Sequence, residues 1–140
     1  MARKLTDPVG VVKALLEGEI DSEIYADTLP DQRSYPAVQV RLSGGIPDGG
    51  FAEVETFSVD ILCYPDRQRG PVFGARRLAM EIWHVLKRAE RRMVEGEGFF
   101  HGATETLMPT QAYDDIDRRF YFVQSWNVEV SEGVSDDRWG

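Results

Sequence analysis

A chain of 140 residues, 42% of them hydrophobic, suits one domain with a real core. Its net charge of −8 speaks against sequence-independent nucleic-acid binding, which rests on neutralising phosphates. A single cysteine, Cys63, excludes an internal disulfide, and no run approaches the roughly 20 apolar residues that span a bilayer.

The N-terminus, Met1-Ala2-Arg3-Lys4, leads into no apolar run, so no signal peptide and a cytoplasmic start are expected. Thr6-Asp7-Pro8 marks a helix start, with Asp7 or Thr6 as N-cap and Pro8 in the first turn. Val9, Val12, Leu15 and Leu16 give that helix an apolar face, which predicts a helix over 8–17. Residues 23–26 read as a short strand or an extended link, and 29–35 as loop.

Alternation of Val38, Val40 and Leu42 with Gln39 and Arg41 predicts a strand over 37–42. Four glycines in residues 43–50 then predict a flexible connection, or a loop that orders against a partner. Without a Gly-Lys-Ser/Thr sequence it is not a phosphate loop.

The stretch from 53 to 94 organises the chain. Phe57, Val59, Ile61 and Cys63 share one face of a strand over 53–63, and Thr56, Ser58 and Asp60 share the wet one. One-sided alternation belongs to antiparallel sheets, since a buried parallel strand reads apolar throughout. Tyr64-Pro65-Asp66 stops this strand. From Val72 to Met93, apolar residues recur at spacings of three and four. That predicts an amphipathic helix of roughly six turns, opened by Pro71 and stopped near Gly96. Its stripe is expected to cover the Phe57/Ile61 face of the sheet.

Beyond the helix, 103–107 reads as a strand closed by Pro109. Tyr113, Asp114, Asp115, Ile116 and Asp117 form a polar turn region, whose spacing and missing glycine do not match a calcium loop. A strong strand over 119–130 has Phe120, Phe122, Trp126, Val128 and Val130 on its buried face, interrupted by Gln124. The expected fold is α+β: one mostly antiparallel sheet covered on one face by one long helix, with a short N-terminal helix. Residues 1–130 make the domain, and 131–140 an arm that is mobile when the protein is alone.

No chemical signature emerges. Two histidines, His84 and His101, and one cysteine offer no zinc-ligand spacing, and no Gly-x-Ser-x-Gly elbow presents a nucleophile. No enzyme activity, cofactor or metal is expected. Between Arg76 and Arg92 six basic residues stand against Glu81 and Glu90, a local excess of four, which leaves −12 for the rest of a chain at −8. On the charged side of the helix, Phe73 and Met80 sit one heptad apart among Arg76, Arg77 and His84. They read either as scattered surface residues or as a face for self-association.

In layout, this order of elements resembles the tail terminator, or tail completion, proteins of long-tailed bacteriophages. The likeness is carried by the capped start Asp7-Pro8-Val9, the extended strand at 36–42 and the glycine-rich connection. It continues through Phe-Ser-Val-Asp-Ile at 57–61, Ala-Arg-Arg-Leu-Ala-Met-Glu-Ile at 75–82 and Phe-Tyr-Phe-Val-Gln-Ser-Trp-Asn-Val at 120–128. The resemblance implies a structural virion protein, assembled in the host cytoplasm, that forms a ring, commonly of six copies, on the tail tube. Such a ring stops tube growth and joins the tail to the neck of the capsid, with DNA passing only through its lumen and no membrane involved. The expected partners are copies of itself, the tail tube protein and a neck or head-completion protein.

Expected subunit contacts are the helix face with Phe73, Arg76, Arg77, Met80 and His84, and the glycine loop with Gly44, Gly45 and Gly49. The acidic turn with Asp114, Asp115 and Asp117, and Trp139 of the C-terminal arm, complete the set. Two alternatives stand beside this reading: a neck or head-completion connector, and a small regulatory or ligand-binding α+β domain.

Overall fold

The computed structural model describes residues 6–30, 36–46, 54–65, 71–116 and 118–132, without the side chains of residues 46 and 71–73. Helix α1 (Pro8–Glu17) starts as its sequence requires: the Asp7 carboxylate accepts the Val9 N–H at 3.0 Å, and Pro8 occupies the first turn, where no N–H is needed. Strand β1 (Glu23–Ala26) and strand β2 (Ala37–Ile46) follow, then strand β3 (Val54–Tyr64) and helix α2 (Pro71–Arg88). The last three strands are β4 (Arg92–Val94), β5 (Gly98–Asp114) and β6 (Arg119–Ser131).

All six strands form one sheet, in the order β1-β2-β3-β6-β5-β4. The sheet is mixed: β1 runs parallel to β2, and the other four pairings are antiparallel. At its centre β3 and β6 pair over their whole shared length, with Val59 opposite Trp126, Ile61 opposite Gln124 and Cys63 opposite Phe122.

Both helices bury their apolar stripes on this one face. Val9, Val12, Leu15 and Leu16 of α1 join Ala75, Leu78, Ala79, Ile82 and Leu86 of α2 in a single core cluster with Val38, Ile61, Trp126 and Val128. The cover is divided rather than supplied by one long helix. α1 lies mainly against β1 and β2, and α2 against β6, β5 and β3. Each aliphatic side chain sealed this way contributes about 1.5–3 kcal/mol relative to exposure. The one polar side chain in the middle, Gln124, is fully buried and satisfied: its Nε2 donates to the Ala79 carbonyl and its Oε1 accepts from Trp126 Nε1, both at 2.9 Å. It ties the sheet to the helix that covers it.

Four expectations are corrected. The expected helix over 72–93 ends at Arg88, and Met93 lies in β4 with an exposed side chain. The spacing of Ala89 and Met93 prolongs the helical period by coincidence, while β4 pairs with β5 across a turn in which Gly96 has φ +80°. β2 passes through Ser43, Gly44 and Gly45 to Ile46, with a register shift between Leu42 and Gly44, so those glycines form a bulged strand and not a loop.

β5 does not stop at Pro109. Its register shifts between Leu107 and Thr110, and a proline fits at such a break because no ladder N–H is lost. Finally, the outward face of β3 is not wholly wet. Leu62 and Tyr64 are buried there with Ala37, beside Tyr25, Leu29, Tyr121 and Val123. Tyr64 stacks on Tyr121 with ring centroids 5.4 Å apart and donates to Gln39 Oε1 at 3.1 Å. Farther along the same face the sheet is polar, where Asp60 accepts from Ser125 at 2.7 Å and pairs with Arg41 at 3.5 Å.

Candidate docking surfaces

Among the described residues, no helix is long and apolar enough to cross a membrane, and no three His, Cys, Asp or Glu side chains are grouped to hold a metal ion. What the surface does show is an uneven distribution of apolar side chains. Among the described residues eight large hydrophobic ones are exposed, and five of them (Leu107, Met108, Tyr113, Ile116 and Phe120) lie on the β5–β6 hairpin. Ile116, at the turn, is 96% exposed. Its N–H is held at 2.9 Å by Oδ1 of Asp114, an arrangement that closes the turn locally and leaves the isoleucine outside it. Tyr113 and Phe120, directly opposite in the register, pack ring against ring with centroids 4.9 Å apart. Phe120 was expected in the core; it lies beyond Phe122, the last core side chain at that end of β6, and is 41% exposed.

The exposed side of α2 is a second surface of different character. Arg76, Arg77, Met80, Glu81, His84, Lys87 and Arg88 all point outward at helical spacing. Arg77 reaches Glu81 at 3.6 Å along the helix. Lys87 crosses to Glu105 of β5 at 3.1 Å, where the Trp83 indole also donates. Those two hydrogen bonds hold the Glu105 carboxyl below its ordinary range, the Trp83 bond being the larger cause. The His84 ring meets Trp83 edge-on at 5.0 Å. The helix is thus pinned to the sheet by its Trp83/Lys87 edge, while the Arg76/Met80 side is left to solvent.

A third feature is an open groove of about 630 Å³ between the end of α1 and the end of α2, bordered by Glu19, Ile20, His84, Arg88, Arg91 and Arg92. Close to it on β5, His101 shares a 2.6 Å hydrogen bond with Ser131. Its pKa is lowered first by burial and then by Arg91, against the opposing pull of Glu129.

Of the residues expected to make contacts, Arg76, Arg77, Met80 and His84 share the exposed side of α2. Asp114 and Asp115 lie together at the β5–β6 turn. Gly44 and Gly45 belong to β2, with Gly45 alongside the Phe57 ring. Phe73 lies within α2, but its side chain is outside the described residues, as are Gly49, Asp117 and Trp139. Sequence reasoning placed Tyr113 and Ile116 in a polar turn but did not single them out as contacts, and it missed Leu107 and Met108 as exposed. The available signal was Ile116 itself, an aliphatic residue set among aspartates with no periodic partner. A comparison of the chain with protein-family models and with curated proteins returns no match.

Proposed function

We propose that this chain is a structural assembly protein that works as a phage tail terminator does: copies form a ring on the end of a tail tube, stop its growth and present a face to the neck of the capsid. The observation that carries the reading is the concentration of exposed apolar side chains on the β5–β6 hairpin, joined to a basic face on α2. Clustered apolar surface rimmed by charge is what protein partners cover. In this reading the hairpin and the α2 face meet neighbouring copies and the tube, and the acidic remainder of the chain keeps a lumen from gripping DNA.

Electron microscopy of tail tubes mixed with the purified protein tests the proposal. Rings seated at one end of tubes of fixed length support it. A protein that leaves tubes uncapped, and that also fails to bind a purified neck protein, sinks it. A second reading, the ligand-binding α+β domain, draws on the groove bordered by Arg88, Arg91 and Arg92, none of which makes an ion pair among the described residues. Calorimetric titration with small phosphorylated or carboxylated metabolites separates the two. Saturable heat that is lost on Arg91→Ala supports the groove.

A further inference from the structure

We infer that the β5–β6 turn of one copy docks on the exposed side of α2 of a second copy, a head-to-tail contact between two different patches of the same chain. On the turn, Ile116 projects almost wholly into solvent, with the exposed Tyr113–Phe120 ring pair behind it. Asp114 and Asp115 flank it, and the sequence adds a third aspartate at 117, offset by Arg118. Among the described side chains of α2, Met80 is the exposed large apolar one, and the charges beside it are Arg76, Arg77 and Glu81. Arg76 makes no ion pair among the described residues, and Arg77 is tied only loosely, through an exposed bridge to Glu81.

Each patch is an apolar centre with a net charge beside it, negative on the turn despite Arg118 and positive on the helix despite Glu81, so the signs are opposite. The complement of each patch is therefore present on another copy. Turn against turn would bring aspartates together, and helix against helix would bring arginines together, so like-with-like pairing is penalised and the mixed contact is favoured. A contact between two different patches is heterologous: it leaves both partners with one unused patch, and it propagates, as a ring where the rotation closes and as a filament where it does not. The inference deepens the ring proposal and rests on it only for that closure.

Cross-linking in the full-length chain tests the contact. The native thiol does not interfere, because Cys63 is fully buried and burial pushes its pKa up, which leaves it unreactive. The double variant Ile116→Cys with Met80→Cys, treated with a short bismaleimide, is expected to give a covalent ladder past the dimer. Each single variant should stay monomeric, and an equal mixture of the two should stop at the dimer. Arg76→Glu added to the double variant should cut the yield about tenfold, and a further Asp115→Lys should restore it.

No ladder at concentrations where the protein caps tubes overturns the contact, as does an equal ladder from a control pair, Leu42→Cys with Met93→Cys. The control residues are also exposed but belong to neither patch. Capped tubes without the ladder remove this contact and leave the ring reading standing. A ladder without capped tubes keeps the contact and removes the terminator reading.

Discussion

Apolar side chains recur at every second position in both halves of β6, yet Trp126, Val128 and Val130 are at most 1% exposed while Phe120 is 41% exposed. The difference lies in what covers them. Above Trp126 stand α2 and, through Gln124, a hydrogen bond to the helix backbone. Past Phe122 the described strand pairs with β5 and not β3, and the ring of Phe120 packs on that of Tyr113. Alternation along a strand therefore says that one face is apolar; whether that face is core or contact surface depends on how far the covering helix reaches.

The sharpest way to break this comparison is to truncate the same kind of residue at each end. Trp126→Ala should cost about 3–5 kcal/mol, whereas Phe120→Ala should stay within about 1 kcal/mol. Urea denaturation followed by far-UV circular dichroism measures both, and equal losses would erase the distinction. At the buried start of β5, Gly98 has φ +145°, and a Cβ there would stand 2.8 Å from the Ser131 carbonyl oxygen on β6. Gly98→Ala should therefore cost about 2–3 kcal/mol, from the backbone conformation and the contact together. A thermal melt lowered by only a degree or two would show that the strand pair can give way.

Gln124→Leu keeps the volume but leaves the Trp126 indole N–H, inside the core, without its acceptor. The expected loss is about 1–3 kcal/mol, read by the same denaturation, with a red shift in tryptophan fluorescence if water enters. The smallest effect is in acid. The unfolded His101 takes up its proton near the ordinary histidine pKa of about 6.5, above the lowered folded value, so stability falls as pH drops below that range. Glu105, lowered by its hydrogen bonds, contributes stability above the ordinary carboxyl range that is lost as pH falls through its folded value. His101→Asn should flatten the stability curve between about pH 7 and 5, and Glu105→Gln should flatten its lower limb. Curves that keep the wild-type slopes would place the acid sensitivity elsewhere.

Where a residue's environment is local, the sequence was a sufficient guide. The Asp7 cap, the turn at Pro8 and the run of β3 as far as Tyr64 follow from chemistry within a few residues, and the structure has them at those places. Where pairing across the sheet decides, it was not. Pro109 stops a strand in isolation, but a register shift absorbs it. Ala89 and Met93 keep a helical period, but β5 recruits residues 92–94 into the sheet. The glycines of β2 suggest a loop until β3 supplies a partner for them. The candidate surface shows the same divide. The basic side of α2 was legible because a helix fixes which residues share a side. The apolar hairpin was not, because Phe120 looks like core until the reach of α2 is known.

The sheet order has a consequence for how the chain acquires its structure. β6 is the last strand in sequence but sits between β3 and β5, so the Cys63–Phe122 pairing must close a span of almost half the chain. Until β6 is synthesised, β3 and β5 each lack their longest partner and α2 has only part of its seat. A nascent chain halted before residue 119 would hold two separate pieces of sheet, β1-β2-β3 and the β4–β5 hairpin, with no strand to join them. Productive folding is therefore expected late and slow for a domain of this size, as non-local topology dictates.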